Sequence, residues 1–204
     1  LSVLVTDEFM EAVKARAPWR LHFENSRGET IVEKMVDAAE LWDKIMTSTF
    51  NQAQPGVIFI DRIKKTNNLW NQEVIASTNP CGEQPLPPYG ACLLGSINLA
   101  PLIENPFTRK AGLDSLRLKA LVKTAIRMMD NVVDVSNFPL PQQQAEAKAK
   151  RRLGLGVTGL ADALIMKGIV YGSPEAVEFT ETVAKMIAVA AYEASVDLAI
   201  EKGP

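Results

Sequence analysis

Short runs of uninterrupted apolar residues alternate along this chain with longer stretches whose apolar residues recur at helical spacing, and few architectures accept that alternation. Val57-Ile58-Phe59-Ile60 and the run from Cys92 to Leu99 read as strands covered on both faces. Thr6 caps a helix through Ala15, with Asp7 and Glu8 in its first turn. Trp19 to Glu24 alternates as a strand and ends in a turn near Arg27-Gly28. From Thr30 to about Phe50, Val32, Met35, Val36, Ala39, Leu41, Trp42, Ile45 and Met46 predict one amphipathic helix. Asp114 to about Ser136 predicts another, striped by Leu118, Leu121, Val122, Ala125, Ile126, Met129, Val132 and Val133. Pro139 and Pro141 end it and open a polar linker, Gln142 to Lys150. The last helix has Ser173 as cap, Pro174 at its first position and Lys202-Gly203-Pro204 as its stop. Strands and helices in this order define an α/β protein.

With 204 residues, 47% of them hydrophobic, the chain can bury a substantial core. A net charge of −2 argues against a generally basic nucleic-acid binder. No apolar run is long enough to span a bilayer, and no charged-then-apolar leader opens the sequence. Two cysteines and one histidine, His22, cannot close a zinc site alone, and this sparse cysteine usage suits a reducing, cytoplasmic setting. His22 reads as a structural or surface residue and the pair Met128-Met129 as core packing. The chain starts on Leu1 inside a strand-like run, and is expected to be an internal piece of a longer protein.

Both cysteines fall in the segment densest in turn formers. Asn79-Pro80-Cys81-Gly82-Glu83 places an amide, a thiol and a carboxyl group at alternate positions, and Cys92 follows eleven residues after Cys81. In an extended loop, residues i, i+2 and i+4 project to one side, so Asn79, Cys81 and Glu83 can converge on a hydroxylated ligand. Pro80 fixes one dihedral and Gly82 relaxes another, which shapes a loop. From spacing alone, a buried, unreactive thiol is the commoner role for a cysteine such as Cys81.

The stretch from Ala76 to Leu99, read whole, resembles the active-site segment of the ribonucleotide reductase large subunit. It is most similar to the adenosylcobalamin-dependent (class II) branch, with Pro80 and Gly82 flanking the cysteine and a Pro-rich turn, Pro85-Leu86-Pro87-Pro88, behind it. Pro55 to Arg62 and Arg151 to Asp162 carry further similarity, so the resemblance covers essentially residues 1–204 as part of one catalytic barrel domain. It implies a ten-stranded α/β barrel of mixed strand direction, with the Cys81 loop as a finger inside it.

The resemblance also implies roles. Cys81 matches the cysteine that becomes a thiyl radical and removes the 3′ hydrogen of the ribose. Glu83 matches the general base at the 3′-OH, and Asn79 the amide that orients the hydroxyls. Pro80 and Gly82 complete the substrate-binding loop. Cys92 matches one member of the redox pair that delivers electrons at the 2′ carbon, so no stable Cys81–Cys92 disulfide is expected. The second redox cysteine and the phosphate site belong to segments outside these residues, which leaves the piece alone inactive. Adenosylcobalamin is the implied radical source, with a diiron partner subunit as the alternative. A ribonucleotide substrate, a dithiol reductant such as thioredoxin, nucleotide effectors and a homodimer are implied as partners. A non-catalytic barrel remnant stays open as the reading from another class.

Three other motifs compete. Gly154-Leu155-Gly156-Val157-Thr158-Gly159 matches G-x-G-x-x-G, but Ala147 to Arg152 upstream is no hydrophobic strand, and Glu175 opens a helix instead of ending a strand. A barrel strand lying tightly against a neighbouring backbone is preferred. Lys148, Lys150, Arg151 and Arg152 read as a solvated face ahead of phosphate contacts. A thiol hydrolase at Cys81 lacks a nearby histidine, since only His22 exists.

Overall fold

The computed structural model describes residues 1–203, the side chain of Val32 excepted; Pro204, the last residue of the expected helix stop, lies outside them. The chain divides into two compact units, residues 1–89 and 90–204.

The first unit runs β1 (Ser2–Val5), α1 (Asp7–Ala15), β2 (Pro18–Glu24), β3 (Thr30–Asp37), α2 (Ala38–Gln52), β4 (Gly56–Phe59), α3 (Ile60–Thr66), β5 (Ser77–Thr78) and β6 (Pro85–Leu86). Strands β1 and β4 pair in parallel, from Ser2 opposite Gly56 to Val5 opposite Phe59. Thr6 caps α1 by accepting from the Phe9 N–H at 3.1 Å, as its place in the sequence predicts. A small core joins Val5, Phe9 and Ala38, with Phe9 edge-on to Trp19 and Trp42 at centroid distances of 5.2 and 6.4 Å.

The helix expected over Thr30–Phe50 is two elements. Residues 30–37 form β3, antiparallel to β2, and the helix starts only at Ala38, where the Asp37 carboxylate accepts from the Glu40 N–H at 2.9 Å. Thr30, Ile31 and Val32 are β-branched and lose χ1 freedom in a helix, while β2 supplies a paired edge that satisfies their backbone. Asn25 closes the hairpin, its side chain accepting from Arg27 and Glu29, with Gly28 at φ +76°. His22 is exposed on this hairpin.

The second unit runs β7 (Leu93–Asn98), a 3-10 turn (Ala100–Leu102), β8 (Ile103–Glu104), β9 (Gly112–Leu113), α4 (Ser115–Val135), α5 (Pro141–Lys150), β10 (Leu153–Thr158), α6 (Leu160–Lys167) and α7 (Pro174–Lys202). Its core packs Ile97, Leu99 and Leu102 against Leu118, Val122 and Ile126 of α4 and Val183, Ile187 and Leu198 of α7. The expected linker Gln142–Lys150 is α5: Pro141 suits a first helical position, and the Gln, Ala, Glu and Lys behind it are strong helix formers. Of the methionine pair, Met129 is core and Met128 is 59% exposed.

Strands β7 and β10 lie parallel, Leu93 opposite Leu153 through Asn98 opposite Thr158. The glycine run forms strand β10 as expected, with ordinary clearance at Gly156 and a close approach at Gly159. A Cβ on Gly95 would lie 3.0 Å from the Met129 sulfur, and one on Gly159 would lie 2.4 Å from Asn98 Oδ1. Two-faced burial does not hold. Burial alternates along β7, with Ile97 inward and Leu94, Ser96 and Asn98 outward, and in β4 Ile58 is buried while Phe59 is exposed. Among the described residues every sheet is two-stranded, and the outward positions of β4 and β7 are exposed.

Candidate active site

The loop carrying Cys81 is the tip of a short hairpin. β5 and β6 pair antiparallel, Ser77 opposite Leu86 and Thr78 opposite Pro85, and Ile75 and Pro87 anchor its base as buried residues. Residues 79–82 form a β-turn closed by the Gly82 N–H donating to the Asn79 carbonyl at 3.1 Å. Asn at the first position, Pro at the second and Gly at the fourth are the residues a type I turn selects. Cys81 keeps a negative φ, which excludes type II. The extended-loop geometry expected from alternate spacing is thus replaced by a tight turn, because Pro80 holds its φ in the turn range and Gly82 adopts φ +89° without a Cβ penalty.

Asn79 is the hub of this tip. Its Oδ1 accepts from the backbone N–H of Gly82 at 3.1 Å and of Gln84 at 3.0 Å, and its Nδ2 donates to the Glu83 carboxylate. The Asn79 N–H donates to the Gln84 carbonyl at 3.1 Å. The amide and the carboxylate therefore meet, although through the turn and not through strand alternation. Cys81 sits between them at the third turn position, exposed, and nothing lies within 4 Å of where a Gly82 Cβ would be. A thiol, a carboxylate and an amide at one solvent-facing tip can hold a polyhydroxylated ligand and move a hydrogen and a proton on adjacent atoms.

Cys92 belongs to the second unit and immediately precedes β7. It is partly buried and in no disulfide, its thiol 3.7 Å from the Leu93 carbonyl. A cavity of about 100 Å³ surrounds it, walled by Val133 of α4, Ala147 of α5, and Ser136, Phe138 and Arg152.

The basic run beside β10 departs from its expected solvated role. Arg151 ends α5 in the left-handed region at φ 47° and turns inward. Its Nε donates to Asp130 Oδ1 at 2.6 Å, its Nη2 to the Asp130 carbonyl at 2.9 Å and its Nη1 to Asp134 Oδ1 at 2.8 Å. Lys202 donates to the other oxygens of Asp130 and Asp134 at 2.6 and 3.1 Å. The side chain of Lys150 is 10% exposed beside Glu146. Hydrogen bonds from Arg151 first, and then from Lys202, hold the Asp130 carboxyl below its usual range and bring Asp134 down to about 2. Sequence reasoning passed over this network; its signal was Asp130, a carboxylate set in the apolar stripe of α4 between Met129 and Val133.

The fold seen here is an α/β frame with two parallel strand pairs, and its Cys81 hairpin brings an amide and a carboxylate together beside an exposed thiol. The chain belongs to the ribonucleotide reductase barrel-domain family, whose family model matches residues 1–204. It is 42% identical over 203 residues to a vitamin B12-dependent ribonucleoside-diphosphate reductase of Mycobacterium tuberculosis (strain CDC 1551 / Oshkosh), covering 100% of this chain and 28% of the relative. It is 41% identical to the protein of the same name from Thermoplasma acidophilum, covering 26% of that relative. The ribonucleoside-diphosphate reductase subunit alpha of Chlamydia pneumoniae is 36% identical over 180 residues, 86% of this chain and 17% of the relative. The chain thus spans about a quarter of the length of the B12-dependent relatives.

Proposed function

We propose that this chain is part of a single catalytic barrel domain that reduces ribonucleoside diphosphates to 2′-deoxyribonucleotides, with the Cys81 hairpin as its radical finger. The observation that carries the reading is the Asn79–Glu83 hydrogen bond beside an exposed Cys81. The names of the B12-dependent relatives support the substrate class and the cofactor.

In this reading a Cys81 thiyl radical takes the 3′ hydrogen of the ribose. Glu83 accepts the 3′-OH proton as the C–H bond breaks, and Asn79 holds the hydroxyl in register. Loss of the 2′-OH as water follows. Cys92 and a second thiol from outside these residues supply two electrons and two protons, one proton leaving in that water and the other ending as the new hydrogen on the 2′ carbon. The two sulfurs end as a disulfide while Glu83 returns its proton to the 3′ oxygen. Cys81 returns its hydrogen to the 3′ carbon and is regenerated as the radical. A dithiol protein such as thioredoxin then reduces the disulfide. Nucleotide effectors, a homodimer and a cytoplasmic location complete the proposal.

The open space beside Gly82 and the exposure of Cys81 suit the approach of a large cofactor to the sulfur. Adenosylcobalamin, when bound, would supply the radical equivalent by breaking its carbon–cobalt bond. Within the chain, the turn has only to hold the thiol in reach and keep its neighbours fixed.

The test is an assay of the full-length enzyme with adenosylcobalamin, a dithiol and a nucleoside diphosphate, beside Cys81→Ser. The parent is expected to form deoxynucleotide and the variant none. Product from the variant at the parent's rate removes the assignment.

A further inference from the structure

We propose that Arg151 is a positioning residue for Cys92, pinning three of the walls of the pocket in which that thiol sits. Four observations converge on this. The backbone N–H of Arg151 donates to the carbonyl of Ala147 at 2.8 Å, and Ala147 is the α5 wall of the Cys92 pocket. The guanidinium makes three bonds to Asp130 and Asp134 of α4, and Val133, between those two carboxylates, is the α4 wall. The next residue, Arg152, forms the third wall, and its carbonyl accepts from the Leu93 N–H at 3.2 Å, directly after Cys92. Asp130 itself is 6% exposed and is held from its other side by Lys202, so the anchor of Arg151 is fixed.

A planar guanidinium with its donors in a fork converts one side chain into a rigid joint, which a point charge on a flexible stem cannot do. Here the joint ties the end of α4, the end of α5 and the start of β10 together. The lowered pKa values of Asp130 and Asp134 keep the joint charged through neutral and mildly acidic pH. Through Arg152 and Leu93 the joint sets where β7 begins, and hence the depth at which the Cys92 sulfur lies. The geometric claim concerns thiol access alone. Its consequence for turnover, a redox thiol presented at a fixed depth, rests on the reductase reading above.

The test is the rate of alkylation of Cys92 by iodoacetamide in the reduced full-length enzyme, followed by peptide mass spectrometry, with Cys81 as internal reference. Arg151→Met is expected to raise the Cys92 rate by at least about fivefold through freer access while leaving Cys81 unchanged. Arg151→Lys, which retains a charge-assisted bond to Asp130, should return part of that increase; a generic packing defect would not be rescued by charge. A Cys92 rate within about twofold of the parent in folded Arg151→Met, or equal rises at both cysteines, overturns the proposal. If Arg151→Met loses its helical circular dichroism, Asp134→Asn decides, since it removes the half-exposed end of the joint and leaves Asp130 in place. A rise confined to Cys92 then supports the proposal, and no rise overturns it. Because alkylation needs no turnover, failure here is separate from failure of the Cys81→Ser assay.

Discussion

Gly82 and Gly159 both occupy the left-handed backbone region, at φ +89° and +70°, but their surroundings differ. A Cβ at Gly82 meets nothing within 4 Å, whereas one at Gly159 would lie 2.4 Å from Asn98 Oδ1 and 3.3 Å from the Ala100 nitrogen. Gly82→Ala therefore carries only the backbone penalty, about 1–2 kcal/mol, while Gly159→Ala adds a collision with the end of β7. Urea unfolding monitored by circular dichroism should show the second variant clearly the less stable, and equal midpoints would contradict the packing described. Asn79 invites a different experiment. Asn79→Ala removes the acceptor of two backbone N–H groups, and amide exchange at Gly82 and Gln84 should speed up by tenfold or more, about the worth of one charge-free hydrogen bond. Exchange unchanged at both amides would mean the turn does not need its hub. At this scale the sequence was legible in part. The identities at 79–83 announced a shaped loop, but alternate spacing suggested an extended one. Only the i to i+3 bond, written by Asn, Pro and Gly together, decides for a turn.

At the level of elements, α4 and α7 are joined twice, by apolar stripes and by a ladder of ion pairs. Leu118 and Val122 are fully enclosed, and Lys123–Asp197 at 2.6 Å and Arg127–Glu201 run along the flank. The flank pairs are half exposed and contribute little individually, so the stripe should dominate. Leu118→Ala is expected to cost about 2–5 kcal/mol in urea unfolding, and a cost below 1 kcal/mol would place the core elsewhere. The inward network adds a pH dependence with a definite sign. Asp130 and Asp134 have folded pKa values below the ordinary 3.8, Asp134 at about 2. Their contribution is present above the unfolded value and is lost as pH falls from about 4 toward 2. The drop in melting temperature over that window should be shallower in Asp134→Asn than in the parent. The helix α4 was readable from its stripe, and α7 from Ser173, Pro174 and Gly203. The elements that were misread, β3 and α5, have local signals that compete with periodicity. A strand of β-branched residues ran directly into a helix at the Asp37 cap, and α5 carries almost no apolar face to betray it.

For the molecule as a whole, the boundary between the two units falls after Tyr89, so the sequence interval between Cys81 and Cys92 contains it. The larger core cluster belongs entirely to residues 90–204, whereas the cluster of the first unit joins three buried residues. A polypeptide of residues 90–204 should therefore fold alone, giving a helical spectrum and one cooperative urea transition; a non-cooperative, molten response would show that its core depends on residues 1–89. The α/β character followed directly from alternating element types. The pairing of β7 with β10 across α4 and α5 could not be read from periodicity, because parallel partners are joined by contacts remote in sequence. The uncovered faces of the strand pairs also escaped prediction. A short apolar run looks the same whether one of its sides meets helices or both do.

The bond between Asn79 and Glu83 has a last implication. The carboxylate and the amide are partners of each other within the tip, so neither group depends on solvent alone for its hydrogen bonds. On the reading proposed above, a sugar hydroxyl entering the tip would take the place of the amide at the carboxylate, or of the carboxylate at the amide, exchanging one polar contact for another. On that reading, entry would demand little net reordering of the tip, and selectivity would fall on whether a newcomer can both give and receive a hydrogen bond at that spot. An unsubstituted carbon there could do neither, and would leave the pair shut.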